Sequence, residues 1–437
     1  MTERKTRRDF IKKTAGAAAV LSTVPTSAWA SEFVGSDEPV PQGLQGAALA
    51  ADEPVRIGVI GTGGMGTGHC EAFARLARNG TSNVRIEALC DVCEPRMASA
   101  KERIQKIQPW EPATYTKAAD LLARKDLHGV LIATPEHWHA RHAEAAILAG
   151  KDVYVEKPMT LDLKGALRLR KVVLKHPERV FVVGTQYVMV PSYSAAQQLI
   201  KDDVVGKPVW SQTSYCRNSK DGEWLYYKID PAWQPGVNLD WDTWCEPLGK
   251  VPWNPEVYAR WRRYRRYSTG IIGDLLVHQI TPLVMAMDVG WPTRVVASGG
   301  HYVDKMMQNH DQVNLNVEFE KEHTMVVAGS TSNELGLEKV IHGRKGNIFV
   351  GGQTATLRPE RLFADEVDER EIPATRSGDA QNNLRAAWID CIRTRKPSPS
   401  PVDLGTKVMV IVDLASRSLW LGGAFGYDPV KQKVKRL

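Results

Sequence analysis

Residues 55–61, VRIGVIG, form a short continuous apolar run ending in glycine, the pattern of a strand buried on both faces. Directly after it, GHCEAFARLARNG has helical spacing and stops at Gly80. The alternation repeats. VRIEALCDV predicts a second strand ending at Asp91, KAADLLARKD a helix, HGVLIATP another strand, and RVFVVGTQ a last strand near Gln186. Strands alternating with helical patterns predict an α/β fold with a parallel sheet. Further on, LLVHQITPLVMAMDV predicts an apolar helix. Residues 31–52 are rich in Pro, Gly, Ala and acids without any period, which reads as an arm or linker.

The first thirty residues have the three parts of a secretory leader: basic residues 4–13, the weakly apolar TAGAAAVLSTVP, and the small-residue site AWA at 28–30. Arg7-Arg8 followed by Asp-Phe-Ile-Lys resembles the twin-arginine leader of bacteria, whose pathway exports folded proteins. A periplasmic mature chain starting near Ser31 is expected. No later stretch approaches a membrane span, so no stable membrane insertion is expected. The roughly 400 residues that remain suggest two domains. Of the formal charge of +7 the leader supplies +4, leaving +3, which offers little for nucleic-acid binding. The six cysteines (Cys70, Cys90, Cys93, Cys216, Cys245, Cys391) are spaced neither as metal ligands nor as a disulfide scaffold, and no metal site is expected.

Gly61-Thr62-Gly63-Gly64-Met65-Gly66 joins the first strand to its helix as G-x-G-x-x-G. Gly61 permits the tight turn, Gly63 lets the backbone approach a pyrophosphate, and Gly66 lets the helix pack closely. The free N–H groups of the helix start then face the phosphates. Asp91 stands 25 residues after Gly66, where an acid accepts from the adenosine ribose hydroxyls and repels a 2′-phosphate. The pattern predicts NAD rather than NADP, although Arg96 lies nearby. Thr134 and Pro135 fall at a strand end, where ligands of such sheets gather. Of the crowded His137, Trp138, His139 and His142, the last is expected on a helix surface, while Trp138 and His139 line the cofactor pocket or the core.

At Val155-Glu156-Lys157-Pro158 the chain begins to resemble the Gfo/Idh/MocA family of NAD(P)-dependent sugar and polyol oxidoreductases. The resemblance rests on GTGGMG, CDV, ATPEHWH, YVEKPM, GDLLVHQI and the closing NNLRAAWIDCIRTRKPSPSPVDLG, in the family's order. It implies a Rossmann domain at 53–188, then an α+β domain with an open-faced, mostly antiparallel sheet at 189–437. The C-terminal helical region, about 380–437, would pack back on the Rossmann domain. Homodimers or homotetramers are also implied. By the same resemblance Lys157, Asp274 and His278 are catalytic, and Glu156 and Lys157 approach the cofactor together with Gly64 and Met65. Asp274 and His278 are four apart and would share one helix face, and a histidine beside a carboxylate suits a general base for a sugar hydroxyl. Tyr187, Tyr215 and Arg217 are expected at the substrate.

Residues 215–270 depart from simpler family members, holding six of the chain's 13 tryptophans. Such a segment either forms a saccharide pocket with aromatic faces or packs as a cover over the sheet or at a subunit contact. Within it RWRRYRRY (260–267) offers arginines for an acidic sugar, for acids of a neighbouring subunit, or for the fold, with one reaching the substrate.

A leader that exports a folded protein and a loop for a cytoplasmic cofactor are compatible if NAD stays tightly bound and the hydride is returned in the same site. Redox-neutral glycoside hydrolysis through a 3-keto sugar meets that condition, as do sugar–sugar transhydrogenation and epimerisation. Hydrolysis needs a second acid or base, for which Tyr215, Tyr187 and His139 are candidates. A cofactor-bound sensor without turnover is the alternative from a different class.

Overall fold

The computed structural model describes residues 49–50, 52–373 and 378–437. The leader and most of the expected arm, residues 1–48, lie outside the described residues. β1 (Val55–Ile60), β2 (Val84–Cys90), β3 (Ala113–Tyr115), β4 (Gly129–Ile132), β5 (Asp152–Val155) and β6 (Phe181–Val183) form one parallel sheet in the order β3-β2-β1-β4-β5-β6. β4, β5 and β6 are buried throughout, as strands must be when helices cover both faces of a sheet. The helices Gly64–Arg78, Glu94–Gln105, Glu136–Leu148 and Leu163–Lys175 are among its crossovers. Strand order reverses between β1 and β4, the point at which sheets of this kind bind their ligands, beyond the strand C-termini.

The second half is a larger sheet. β7 (Pro208–Asn218), β8 (Pro292–Gly300), β9 (Gln312–Phe319) and β10 (His323–Ser330) form its middle, and β11 (Ser332–Asn333) pairs with β7. β12 (Val340–Gly343), β13 (Gly346–Phe349), β14 (Ala355–Pro359) and β15 (Arg370–Ile372) extend one side. β16 (Phe425–Asp428) and β17 (Lys433–Arg436) extend the other. The pairings are antiparallel except for β7 with β10.

Along β9 and β10 burial alternates, because one face meets the core and the other does not. The helix Val277–Met287 packs on β7, and Val402–Leu421 packs both on β8 and on the crossover helix Leu163–Lys175. A single apolar core therefore runs through both halves. The helix Ala380–Thr394 joins the Rossmann half, with Trp388 fully buried against Phe73 and Tyr154 at ring separations of 5.9 and 5.6 Å.

The aromatic segment resolves in favour of packing. Leu239, Trp241, Trp244, Cys245, Tyr258 and Tyr267 build a second, smaller core around Cys93, at the end of β2. Its two short helices are capped by Asp240, which accepts from the Thr243 N–H, and by Asn254, which accepts from the Glu256 and Val257 N–H groups. Large aromatic faces otherwise exposed to water supply the driving force.

Candidate active site

The glycine turn has the geometry its pattern demands. Gly61 has φ +91°, and a Cβ there would lie 2.6 Å from the Thr134 nitrogen. A Cβ on Gly66 would lie 1.8 Å from the Gly61 carbonyl oxygen, so only glycine lets the helix start so close to the turn. A Cβ on Gly64 meets nothing within 4 Å, and one on Gly63 meets only Arg96 Nη1, at 2.9 Å. The helix begins with no side-chain cap and no acid in its first turn. Uncapped N–H groups beside an open backbone fit a dinucleotide pyrophosphate. Met65, 40% exposed, stands on the rim of this opening.

Asp91 has structural work beside the part expected of it. Its carboxylate accepts from the Thr62 N–H (2.6 Å), the Thr62 hydroxyl (3.1 Å) and the Cys93 N–H (2.9 Å). A carboxylate has about four acceptor sites, so Asp91 mainly buttresses the turn and keeps about one site for a ribose hydroxyl. Cys90 and Cys93 are both free thiols in apolar surroundings, and burial raises both pKa values.

Thr134 and Pro135 lead from β4 into the helix Glu136–Leu148, whose first two turns are buried on several sides. His139 is fully enclosed, with Nδ1 2.7 Å from the Pro158 carbonyl and Nε2 2.8 Å from the Thr134 carbonyl. It ties the end of β4 to the turn after β5, and neither nitrogen is left for a second acid or base. Trp138 donates from Nε1 to the Trp244 carbonyl (3.1 Å), so it holds the aromatic segment. His142 is not on the surface as expected. It is buried and stacks on Trp138 at 4.6 Å, because the aromatic segment covers this side of the helix.

Glu156 follows β5 and accepts from His69 Nε2 (2.7 Å), while Arg385 Nε donates to His69 Nδ1 (2.9 Å). The arginine fixes Nδ1 as an acceptor, so the proton sits on Nε2 of a neutral imidazole. Burial pushes His69 down. Burial alone would raise Glu156, but the His69 hydrogen bond and the charge of Lys157 outweigh it and bring its pKa to about 2.

The three resemblance-derived residues converge, but not as a histidine–carboxylate couple. Lys157 Nζ donates to Asp274 Oδ1 (2.9 Å) and to the Asp274 carbonyl (2.8 Å), and Arg262 Nε donates to the same Oδ1 (2.8 Å). Burial opposes ionisation of Asp274, yet Lys157 and Arg262 overcome it and hold its carboxyl well below the usual range. The reason lies in the helix. Residues Ile272–Leu276 form a π turn before the α-helix Val277–Met287 begins, so the four-residue spacing does not deliver the ordinary shared face. His278 Nδ1 is buried with no hydrogen-bond partner. Burial, then the nearby Lys157 charge, lowers its pKa to about 3, so the imidazole is neutral at neutral pH. Tyr187 and Tyr215 face it with ring centroids 5.5 and 6.2 Å away. Arg217 lies 5.9 Å from the Tyr215 ring and pairs with buried Glu223.

Of the arginine run, Arg260 pairs with Glu256, Arg263 with Asp304, and Arg266 donates to the Leu248 and Gly249 carbonyls. Arg262 is the member that reaches the site, through Asp274 rather than by standing free. Glu136, His69 and Arg385 join the site without a sequence signal of their own. Glu136 lies within ATPEHWH, whereas nothing in the spacing marks His69 or Arg385, which meet across 316 residues. Among the described residues no group of three His, Cys, Asp or Glu is arranged to hold a metal ion, and no helix is long and apolar enough to cross a membrane.

Residues 55–184 match the family model described as an oxidoreductase family NAD-binding Rossmann fold, and residues 249–420 match that family's C-terminal alpha/beta domain. A glycosyl hydrolase family 109 protein of Shewanella baltica (strain OS185) is 35% identical over 165 residues, which are 36% of this chain and 34% of that protein. The chain thus spans about a third of the length of the curated relatives it matches. Among solved structures, levoglucosan dehydrogenase in complex with NADH and levoglucosan superposes with a TM-score of 0.65 at 19% identity, over 86% of this chain and 99% of that one. The UDP-N-acetylglucosamine 3-dehydrogenase of Acidithiobacillus ferrooxidans superposes with a TM-score of 0.59 at 18% identity, over 85% and 99%. Both likenesses are of fold. With its glycine turn, its E-K-P and its two-sheet architecture matched by both family models, the chain belongs to the Gfo/Idh/MocA oxidoreductase family.

Proposed function

We propose that the chain is an NAD-dependent enzyme acting on sugars, which oxidises a ring carbon and reduces it again within one site, so that the net reaction is glycoside hydrolysis. The observation that carries the reading is the neutral His278 with its unpartnered Nδ1, set beside the Lys157–Asp274–Arg262 cluster. The names of the relatives add a sugar, a glycosidic bond and a ring carbon 3 to that chemistry.

His278 takes the proton of the C3 hydroxyl. The Lys157 ammonium, fixed by Asp274, orients that oxygen. A nicotinamide dinucleotide held at the Gly61–Gly66 turn would supply reversible hydride transfer at C3. The C3 ketone makes the C2–H acidic, the C1 aglycone leaves by elimination, and water adds at C1. Burial raises the Tyr187 pKa, so it remains a phenol suited to protonating the departing aglycone. The C2 proton passes to a water on the Tyr215 side of the same imidazole and one is returned to C2 when water adds at C1.

Purified protein should release nitrophenol from a nitrophenyl glycoside with no added NAD or electron acceptor, and in D2O the product should carry deuterium at C2. His278→Asn and Lys157→Met should each abolish the release. Turnover that needs an added acceptor, with a keto sugar accumulating, would replace this reading with a dehydrogenase. Release at the wild-type rate in both variants would remove the site from the chemistry.

Export in the folded state with NAD already bound is part of the proposal. Replacing Arg7 and Arg8 by lysine should then leave the protein, with its cofactor, in the cytoplasm. A homodimer or homotetramer is proposed with it. Its surface would be the outward sheet face, where Trp210, 37% exposed, stacks on His342 at 3.9 Å. Sedimentation of wild type against Trp210→Glu tests that assembly.

A further inference from the structure

The loop that carries Arg262 also walls a cavity of about 300 Å³, which the sugar chemistry does not use. Arg265, Ser268 and Thr269 line it from that loop, and Asn309 and His310 from the connection between β8 and β9. Ser416 and Trp420 line it from the last turns of the helix Val402–Leu421. Neither Lys157, Asp274 and His278 nor Tyr187 and Tyr215 border it, so it is a space apart from the active site.

Arg265 is the cation of this cavity that the fold leaves unused. Its guanidinium lies 3.9 Å from the Trp420 ring, and among the described residues it makes neither an ion pair nor a hydrogen bond. Its backbone N–H alone is engaged, donating to the Gln308 side chain at 3.2 Å. The second arginine of the cavity, Arg417, is neutralised by Asp413 one helical turn earlier, so Arg265 leaves the walls with a net positive charge. His310 packs on the same Trp420 ring at 4.3 Å. Burial lowers its pKa to about 4, so at neutral pH it offers a neutral hydrogen-bonding ring. A guanidinium stacked on an aromatic ring keeps its forked donors while losing side-chain freedom, which suits a carboxylate or a phosphate. Hydroxyl and imidazole groups around one such cation suit a polyhydroxylated anion, and the volume is that of the smaller ligand pockets.

The same walls hold part of the catalytic machinery. Asn309 Nδ2 donates to the Arg262 carbonyl (2.9 Å) and to the Ser268 carbonyl (3.1 Å), and the Gln308 N–H donates to the Arg263 carbonyl (2.9 Å). We propose that this cavity is a second ligand site for a monosaccharide-sized anion, a sugar carboxylate or a sugar phosphate, whose charge pairs with Arg265 and whose hydroxyls meet Ser416 and His310. The site is independent of bond cleavage at His278. Its occupant braces the loop that presents Arg262 to Asp274.

Titration calorimetry of the full-length protein with glucuronate, glucose 6-phosphate and glucose tests the site. At least one of the two anions should bind with a Kd of about 1 mM or tighter, and glucose about 10-fold more weakly or not at all. The tighter of the two identifies the anion as carboxylate or phosphate. Arg265→Gln should weaken that anion by about 10-fold or more and Ser416→Ala by about 3-fold, while His278→Asn leaves its affinity as in wild type. No binding of either anion overturns the proposal. So does an affinity that survives both Arg265→Gln and Ser416→Ala, or one that is lost in His278→Asn, since the anion then occupies the active site. Should Arg265→Gln fail to fold, Ser416→Ala and His278→Asn decide between the two places.

Discussion

Asp274 stands between two cations that both bind its Oδ1, and this makes Arg262 a positioning residue for Lys157. With Arg262 removed, Lys157 must hold a buried carboxylate alone. Arg262→Met is therefore expected to lower kcat by about 100-fold with a much smaller change in KM, the size typical of losing one preorganised charged donor. Arg262→Lys should recover part of the loss, as steady-state kinetics on a nitrophenyl glycoside would show.

His278 has a sign that can be checked directly. Its folded pKa, about 3, lies below the ordinary 6.5, so the folded state resists protonation more than the unfolded chain does. The stability this contributes is complete above pH 6.5 and is lost as pH falls toward 3. Melting temperature should consequently drop more steeply below pH 6.5 in wild type than in His278→Asn. Parallel acid limbs for the two proteins would contradict a buried neutral imidazole.

The π turn Ile272–Leu276 is set by its anchors as much as by its own residues. Glu136, at the start of the helix Glu136–Leu148, accepts from the Ser268 hydroxyl at 2.5 Å and from the Thr269 N–H at 3.2 Å, holding the loop that leads into the turn. Burial, with the Asp274 charge adding to it, raises this carboxyl from 4.5 to about 7. The folded state thus binds the proton more tightly than the unfolded one. Its contribution is full below about pH 4.5 and disappears as pH rises through 7. Glu136→Gln imitates the protonated form, so between pH 4.5 and 7 its melting temperature should change less with pH than that of wild type. A wild type that gains on the variant as pH rises would contradict the assignment.

The family resemblance carried by GDLLVHQI singles out Asp274 and His278, but their relation is not in the spacing. Periodicity assumes a regular helix, and a π turn is a local departure stabilised by tertiary partners. The aromatic segment shows the same limit. Its composition marks it as unusual, but tryptophans that line a pocket and tryptophans that fill a small core have the same local pattern.

The two halves of the molecule share one core, and the C-terminal region helps to close it. Trp388, from the helix Ala380–Thr394, is enclosed by Phe73 and Tyr154 of the Rossmann half. Trp388→Ala is expected to destabilise the protein by about 3–5 kcal/mol, the usual cost of deleting a large buried aromatic. A urea midpoint equal to that of wild type would mean that this helix is not part of the parallel sheet's core.

The strand–glycine–helix signal and the alternation that predicts the parallel sheet depend on a short-range period or on a backbone conformation that few residues allow, as the positive φ of Gly61 illustrates. The E-K-P and D-x-x-x-H positions are in the linear chain too, but only the family resemblance gives them a role. Long-range closure supplied the rest. Arg262 meets Lys157 at one carboxylate oxygen, Arg385 orients His69 for Glu156, and Arg96 packs against two touching rings that follow it by more than a hundred residues. Such contacts are chosen by charge and shape complementarity once the core has closed, and no local spacing records them.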